Sequence, residues 1–355
     1  MNTPFTTTPY QPHTRLTRLG AESNWQRLCD GYRTMVLIRQ FDKKAINLQR
    51  TGQLGTYASC LGGEAIATAA GQALHDNDYF VPYYRDHATQ YLRGVPLHQV
   101  LQYWGGDERG NVFPANTPAA RDLPYCVPIA SQLTQAAGIA TKAKLGHEHA
   151  AVLATCGDGA TSRGDFYEAL NVAGVWQLPL VVLINNNQWA ISVPRALQSA
   201  STTLAHKAQA AGIEGFQVDG NDLPAMLEAL DYALDKARHG KGATLVEALS
   251  YRLCDHTTAD DASRYRKASE LHVAWQNEPL ARLRQVLVAA GHWSADLETG
   301  WLGECQQRVD DAIEHYLNTP PAPATDMLDY LYAALPEALR AQRQALQQTA
   351  GGSHG

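Results

Sequence analysis

The chain has 355 residues, 45% hydrophobic and 18% charged, with a formal net charge of −6. That length can bury a sizeable core in one large or two modest domains of ordinary α/β composition. The acidic balance argues against nucleic acid or an anionic membrane as main partner, and no apolar stretch is long enough to span a bilayer.

Residues 1–24 are expected to form a flexible arm. The first twenty lack acidic groups and carry Arg15 and Arg18 among Thr and Pro; a transit peptide is an alternative, but a secretory signal would need an apolar core. Residues 28–50 predict a helix, with apolar points at Val36, Ile38, Phe41, Ala45 and Leu48. A small-residue helix over 64–74 follows Gly62-Gly63. Next comes Tyr83-Tyr84-Arg85-Asp86-His87, where a guanidinium fork and a phenol could bind phosphate oxygens. By spacing alone, a strand end with solvated charge fits that run better. A Gly-rich loop at 105–111 and an Ala-rich helix at 132–144 come next, with Val127 and Ile129 packing just before the helix. His147-Glu148-His149 lacks a third metal ligand at recognisable spacing and is read as a solvated loop.

The central unit is richer in chemistry. Residues 150–156 and 178–184 are short, apolar and nearly free of charge, as strands buried on both faces of a parallel sheet are. Between them Phe166, Leu170, Ala173 and Trp176 recur at helical spacing. Ser162, three residues before Asp165, reads as the helix cap. Gly157-Asp158-Gly159 follows the first strand and Asn185-Asn186-Asn187 ends the second, so Asp158 and Asn187 fall where ligands bind such sheets. A carboxylate and a carboxamide oxygen there suit one Mg²⁺ shared with a diphosphate. Gly157 and Gly159 would let the backbone turn tightly and approach a ligand closely. Gly-Asp-Gly alone is ordinary turn chemistry; the second element at this spacing makes it a candidate site.

A further strand is expected at 243–249, and His256 lies beyond it, as either a general acid/base or a surface residue. Residues 269–347 should be mostly helical, broken by Pro320-Pro321-Ala322-Pro323. The Gly/Ser tail, 348–355, should be disordered. Six cysteines are scattered without a zinc or redox pair, which fits reduced thiols in the cytoplasm.

The run from Gly157 to Pro194 resembles the alpha subunit of 2-oxo acid dehydrogenases, the decarboxylating first component of the pyruvate and branched-chain complexes. The resemblance extends over residues 32–343. It implies a doubly wound, mostly parallel α/β sheet of the thiamine diphosphate-binding type over 25–268, with a helical C-terminal extension over 269–347. It implies Asp158, Asn187 and the Trp189 carbonyl as Mg²⁺ ligands, and Gly159, Ala160, Tyr84 and Arg85 as diphosphate contacts. Ile129, with Val127 behind it, would hold the aminopyrimidine ring through backbone. The run from His256 to Arg266 is similar to the family's active-site loop, which makes His256 the candidate catalytic residue near the cofactor.

The same resemblance implies an α₂β₂ assembly in which a beta subunit supplies the activating Glu, with acyl transfer to the lipoyl arm of a dihydrolipoyl acyltransferase core. The loop at 105–111 and Thr257-Thr258 are similar to bacterial pyruvate dehydrogenase alpha subunits, with branched-chain and acetoin dehydrogenases as alternatives. A cytoplasmic place is implied for a bacterial chain, the mitochondrial matrix for a eukaryotic one. A non-catalytic subunit of the same fold is the reading from another class. Three positions depart from the family pattern: Arg163 stands where Glu is common, Gly63 where many have Gln, and Asn185 where Gln, Glu or Arg is usual.

Overall fold

A computed structural model describes residues 22–350. Most of the expected arm and the last residues of the expected tail, 1–21 and 351–355, lie outside the described residues. Five strands form one sheet: β1 Tyr79–Val81, β2 Val152–Gly157, β3 Leu180–Asn186, β6 Glu214–Asp219 and β7 Thr244–Leu249. Their order is β1-β2-β3-β7-β6, and every neighbouring pair is parallel. A small antiparallel hairpin, β4 Trp189–Ala190 and β5 Val193–Pro194, follows β3.

The alternation along the central strands builds a core on each face, as successive side chains must point to opposite sides. Val152, Ala154 and Cys156 of β2, with Leu180, Val182 and Ile184 of β3, face one cluster that includes Phe166 and Leu170. Leu153, Val181 and Leu183 face the other. The sheet is therefore covered on both sides, as the doubly wound reading requires. Helix Gly164–Val175 and the Ala-rich helix Ser131–Leu145 lie on the first face. The long helix Glu22–Arg50, with Glu64–Ala73 and Leu223–Arg238, lies on the second.

The C-terminal region is helical, as expected. Ala268–Trp275, Pro279–Ala289 and Ala295–Asn318 precede the proline break, and Asp326–Asp329 and Glu337–Ala350 follow it. Leu283, Leu287, Cys305 and Val309 join the second core cluster, so this region packs on the sheet's helical layer. No helix among the described residues is long and apolar enough to cross a membrane.

Two local expectations are corrected. Ser162 does not cap the helix: a 3₁₀ turn, Asp158–Ser162, intervenes, and the helix starts at Gly164 after Arg163. The Ser162 hydroxyl donates instead to the Gln198 carbonyl at 3.2 Å. Gly157 is not needed for a tight turn, since its backbone is extended (φ −83°) and a Cβ there would meet nothing within 4 Å.

Candidate active site

Sheet register brings four loops to one edge. Gly157 of β2 pairs with Asn185 of β3, and Asn186 pairs with Leu249 of β7. The segments leaving the carboxyl ends of β1, β2, β3 and β7 therefore rise side by side. They carry Tyr84 and Arg85, Asp158, Asn187, and Arg252 and His256 respectively. Of these residues, all but Arg252 line a cavity of about 290 Å³.

Asp158 is almost wholly buried, at 1% exposure. Its Oδ2 accepts a hydrogen bond from Gln198 Nε2 at 2.6 Å, and it forms no ion pair among the described residues. Burial is the main force on its carboxyl, pushing the pKa up to about 6, opposed by that hydrogen bond and by Arg252 and Arg195. A carboxylate desolvated this far without a cationic partner is a ready cation ligand. Asn187, also buried, turns its Oδ1 back to accept from the Trp189 amide at 3.2 Å. Trp189 keeps its carbonyl within 3.4 Å of Arg252 Nη1.

The turn after β2 lies tight against the β4–β5 hairpin. A Cβ on Gly159 would come within 2.7 Å of Ala190 Cβ, so only glycine fits under the hairpin. Ala160 is buried beside it. The Oε1 of Gln132, which lines the same cavity, is buried without a partner among the described residues.

Two guanidiniums converge on one imidazole that lines the cavity. Arg85 Nη2 lies 3.2 Å from His256 Nδ1 and donates to the His256 carbonyl at 2.6 Å; Arg252 Nη1 lies 3.3 Å from the same Nδ1. Burial first, then Arg85 and Arg252, push the His256 pKa down to about 3. A depressed histidine is neutral above that value, so its Nδ1 faces both guanidiniums as an acceptor. Two cationic forks with one neutral acceptor between them could receive an anion. Tyr84 stands alongside, its ring 5.1 Å from the Arg85 guanidinium.

Nine of the sequence candidates thus meet around one cavity: Tyr84, Arg85, Ile129, Asp158, Gly159, Ala160, Asn187, Trp189 and His256. Val127 is not among the lining residues; it is 48% exposed, one residue before Pro128 and outside the wall that Ile129 forms. His147-Glu148-His149 does not gather a metal: Glu148 bonds Tyr79, Arg121 and Lys142.

Two residues went unnoticed in the sequence. Arg252 is 2% exposed and donates to the Ile191 carbonyl at 3.0 Å and to the Tyr265 hydroxyl at 2.7 Å. Its signal was position, three residues beyond the end of a central strand. Ile191 lines the cavity with φ +54°, rare for a β-branched residue, and is 56% exposed.

The departures at Gly63 and Asn185 touch each other. A Cβ on Gly63 would lie 2.9 Å from Asn185 Nδ2. Asn185 cannot easily yield, because Nδ2 donates to the Tyr83 hydroxyl at 2.8 Å and Oδ1 accepts from Ser250 at 2.7 Å. Gly63→Ala is therefore expected to lower stability by about 1–3 kcal/mol through overpacking. Adding Asn185→Ala should make the double variant more stable than the two single costs predict, read by thermal melts as a cycle. Strict additivity would break the link between the positions. Arg163 stands at the cavity with 62% of its side chain exposed, 3.6 Å from Asp165.

The sequence profile of the dehydrogenase E1 component family matches residues 32–324. The chain is similar to the 3-methyl-2-oxobutanoate dehydrogenase subunit alpha of Mycobacterium tuberculosis strain H37Rv. They are 37% identical over 316 residues, covering 89% of this chain and 85% of the relative. It is equally similar to the pyruvate dehydrogenase E1 component subunit alpha of Staphylococcus aureus strain COL, at 37% over 325 residues, 91% of this chain and 87% of that one. The Bacillus cereus protein of that name is 37% identical over 318 residues, 89% of this chain and 85% of its own length.

Proposed function

Because the chain belongs to the dehydrogenase E1 component family, as an alpha subunit of a 2-oxo acid dehydrogenase first component, we propose that its cavity holds thiamine diphosphate and Mg²⁺ for the oxidative decarboxylation of pyruvate. The observation that carries this is the convergence of a buried carboxylate without an ion pair and two guanidiniums from the carboxyl ends of β2, β1 and β7. When bound, the cofactor supplies a nucleophilic carbon and an electron sink for the departing CO₂.

The protein's own residues provide the anchorage. Asp158, Asn187 and the Trp189 carbonyl would hold the cation, and the backbone at Gly159 and Ala160 would meet the diphosphate. Arg85, Arg252 and Tyr84 would balance the phosphate charge. An anion between the guanidiniums would offset the repulsion that adds to burial in keeping His256 neutral, and so raise its proton affinity near the reacting centre. Ile129 would offer its backbone to the pyrimidine ring, with Val127 supporting it from outside. Ile129 and Ile191, 45% and 56% exposed at the cavity, leave an apolar rim.

That rim supports a site completed by a beta subunit in an α₂β₂ enzyme, with the beta chain supplying the activating carboxylate and a lipoyl arm of the acyltransferase core receiving the acyl group. Residues 25–268 would form the cofactor domain and 269–347 the helical extension. The bacterial relatives suit a cytoplasmic setting. The Mycobacterium tuberculosis relative, at the same identity, favours 3-methyl-2-oxobutanoate as the second reading.

Co-expression with the beta chain, then dye reduction with pyruvate, 3-methyl-2-oxobutanoate and acetoin, tests the proposal. The assembled pair is expected to turn over pyruvate fastest, and the chain alone should show at most a few per cent of that rate. One methylene in an apolar pocket is worth only about 1–3 kcal/mol, so a preference for the branched acid would move the substrate assignment and leave the cofactor site standing. Full activity from the chain alone would end the shared-site reading.

A further inference from the structure

The segment after the β4–β5 hairpin is tied to the turn after β2 by one side chain. Gln198 closes the short helix Arg195–Gln198. Its Nε2 donates to Asp158 Oδ2 at 2.6 Å and to the Val193 carbonyl at 3.0 Å. Its Oε1 is buried and has no hydrogen-bond partner among the described residues. A buried acceptor without a donor is costly in a finished structure. Here it sits on the same planar carboxamide that holds the candidate cation ligand.

We propose that Gln198 is a positioning residue for the cation site, fixing Oδ2 of Asp158 through Nε2 and offering Oε1 to a water on the ion. The proposal rests on the reading of Asp158 as a Mg²⁺ ligand. Outer partners of metal ligands orient the ligand and set its lone pairs, and their loss commonly weakens metal binding about 10–100-fold. The carboxamide is suited to both tasks, since one end donates to a carboxylate and the other accepts from a hydroxyl or water. A carboxylate at 198 would instead set a second negative charge beside a buried one.

The fold around Gln198 has other fastenings. Its carbonyl accepts from Ser162, and Arg195 donates to the Ser199 and Ser201 carbonyls at 2.8 and 2.7 Å. Gln198→Leu keeps the volume and removes both polar ends, so it should leave the segment in place. Ser162→Ala cuts only the backbone tether and serves as the control for a general loosening.

The test is Mn²⁺ binding, followed by electron paramagnetic resonance, to the alpha chain co-purified with its beta chain at saturating thiamine diphosphate. Gln198→Leu is expected to weaken Mn²⁺ about tenfold, with Ser162→Ala within about twofold of the parent. Unchanged or tighter binding in Gln198→Leu overturns the inference, as does an equal loss in Ser162→Ala, which would make the segment's tethering the cause. Asp158→Ala in the same assay should abolish binding. If it does not, the cation site itself is misassigned, a failure separate from that of Gln198.

Discussion

Asp158→Asn should give a chain that is more stable without cofactor and unable to use it. The carboxylate is 1% exposed, and burial lifts its pKa from the ordinary 3.8 to about 6. A group whose folded pKa is raised contributes stability that is fully present below its unfolded value and is lost as pH rises through the folded one. For Asp158 the loss runs from about pH 4 to about pH 6, so at neutral pH the ionised form weakens the cation-free fold. At 1.36 kcal/mol per pKa unit, the penalty is on the order of 3 kcal/mol. Asparagine keeps the shape without the charge. In chelator near pH 7.5 the variant should unfold later than the parent by about 1–3 kcal/mol, with the gap shrinking toward pH 5. Adding Mg²⁺ and thiamine diphosphate should reverse the order, because only the parent gains binding energy. Activity should fall at least about a thousandfold, as the lost anchor removes both cofactor and orientation. A lower melting point for the variant in chelator at neutral pH would mean that the buried charge is compensated in the fold.

The same oddity of a buried carboxylate explains why the candidate site was legible in the sequence. A carboxylate at the end of an apolar strand has few structural uses, and a carboxamide at the end of the next strand repeats the oddity. The strands themselves were legible because 150–156 and 178–184 are apolar throughout. The edges were less so. β1, only three residues long, was read just as a strand end before residues 83–87, and β6, exposed at Glu214, Gly215 and Gln217, shows no buried-strand pattern. Tertiary pairing makes them strands, and β7 holds β6 in register over six residues. The Ser162 cap failed for a related reason. A hydroxyl near a helix start can serve the helix or a neighbour, and the hairpin segment placed the Gln198 carbonyl within its reach. Gln198 and Arg252 were hidden because a polar residue in a loop gives no sign of burial until the loop is folded over the site.

Arg252 carries the other large expected effect, because it joins two tasks that can be separated. Its guanidinium lies beside His256, which Arg85 also faces, and it clamps the hairpin through the Ile191 carbonyl while donating to Tyr265. Ile191 needs that clamp, since φ +54° is unfavourable for a branched side chain and persists only where the surroundings fix it. Arg252→Met removes both charge and clamp, and cofactor affinity should fall about 100-fold or more, in line with the roughly 2–5 kcal/mol lost when one partner of a buried charged contact is removed. Arg252→Lys restores a point charge without the planar fork. If charge dominates, lysine should recover most of the affinity, and inorganic pyrophosphate should compete against it nearly as well as against the parent. If the clamp dominates, lysine should resemble methionine in cofactor affinity, while pyrophosphate binding recovers alone. The geometry favours the second outcome. Arg85 would already offer one fork to a bound anion, whereas no other side chain among the described residues donates to the Ile191 carbonyl. Parent-like cofactor binding in Arg252→Met would show that neither the charge nor the clamp matters, and Arg85 would then stand as the sole cationic anchor.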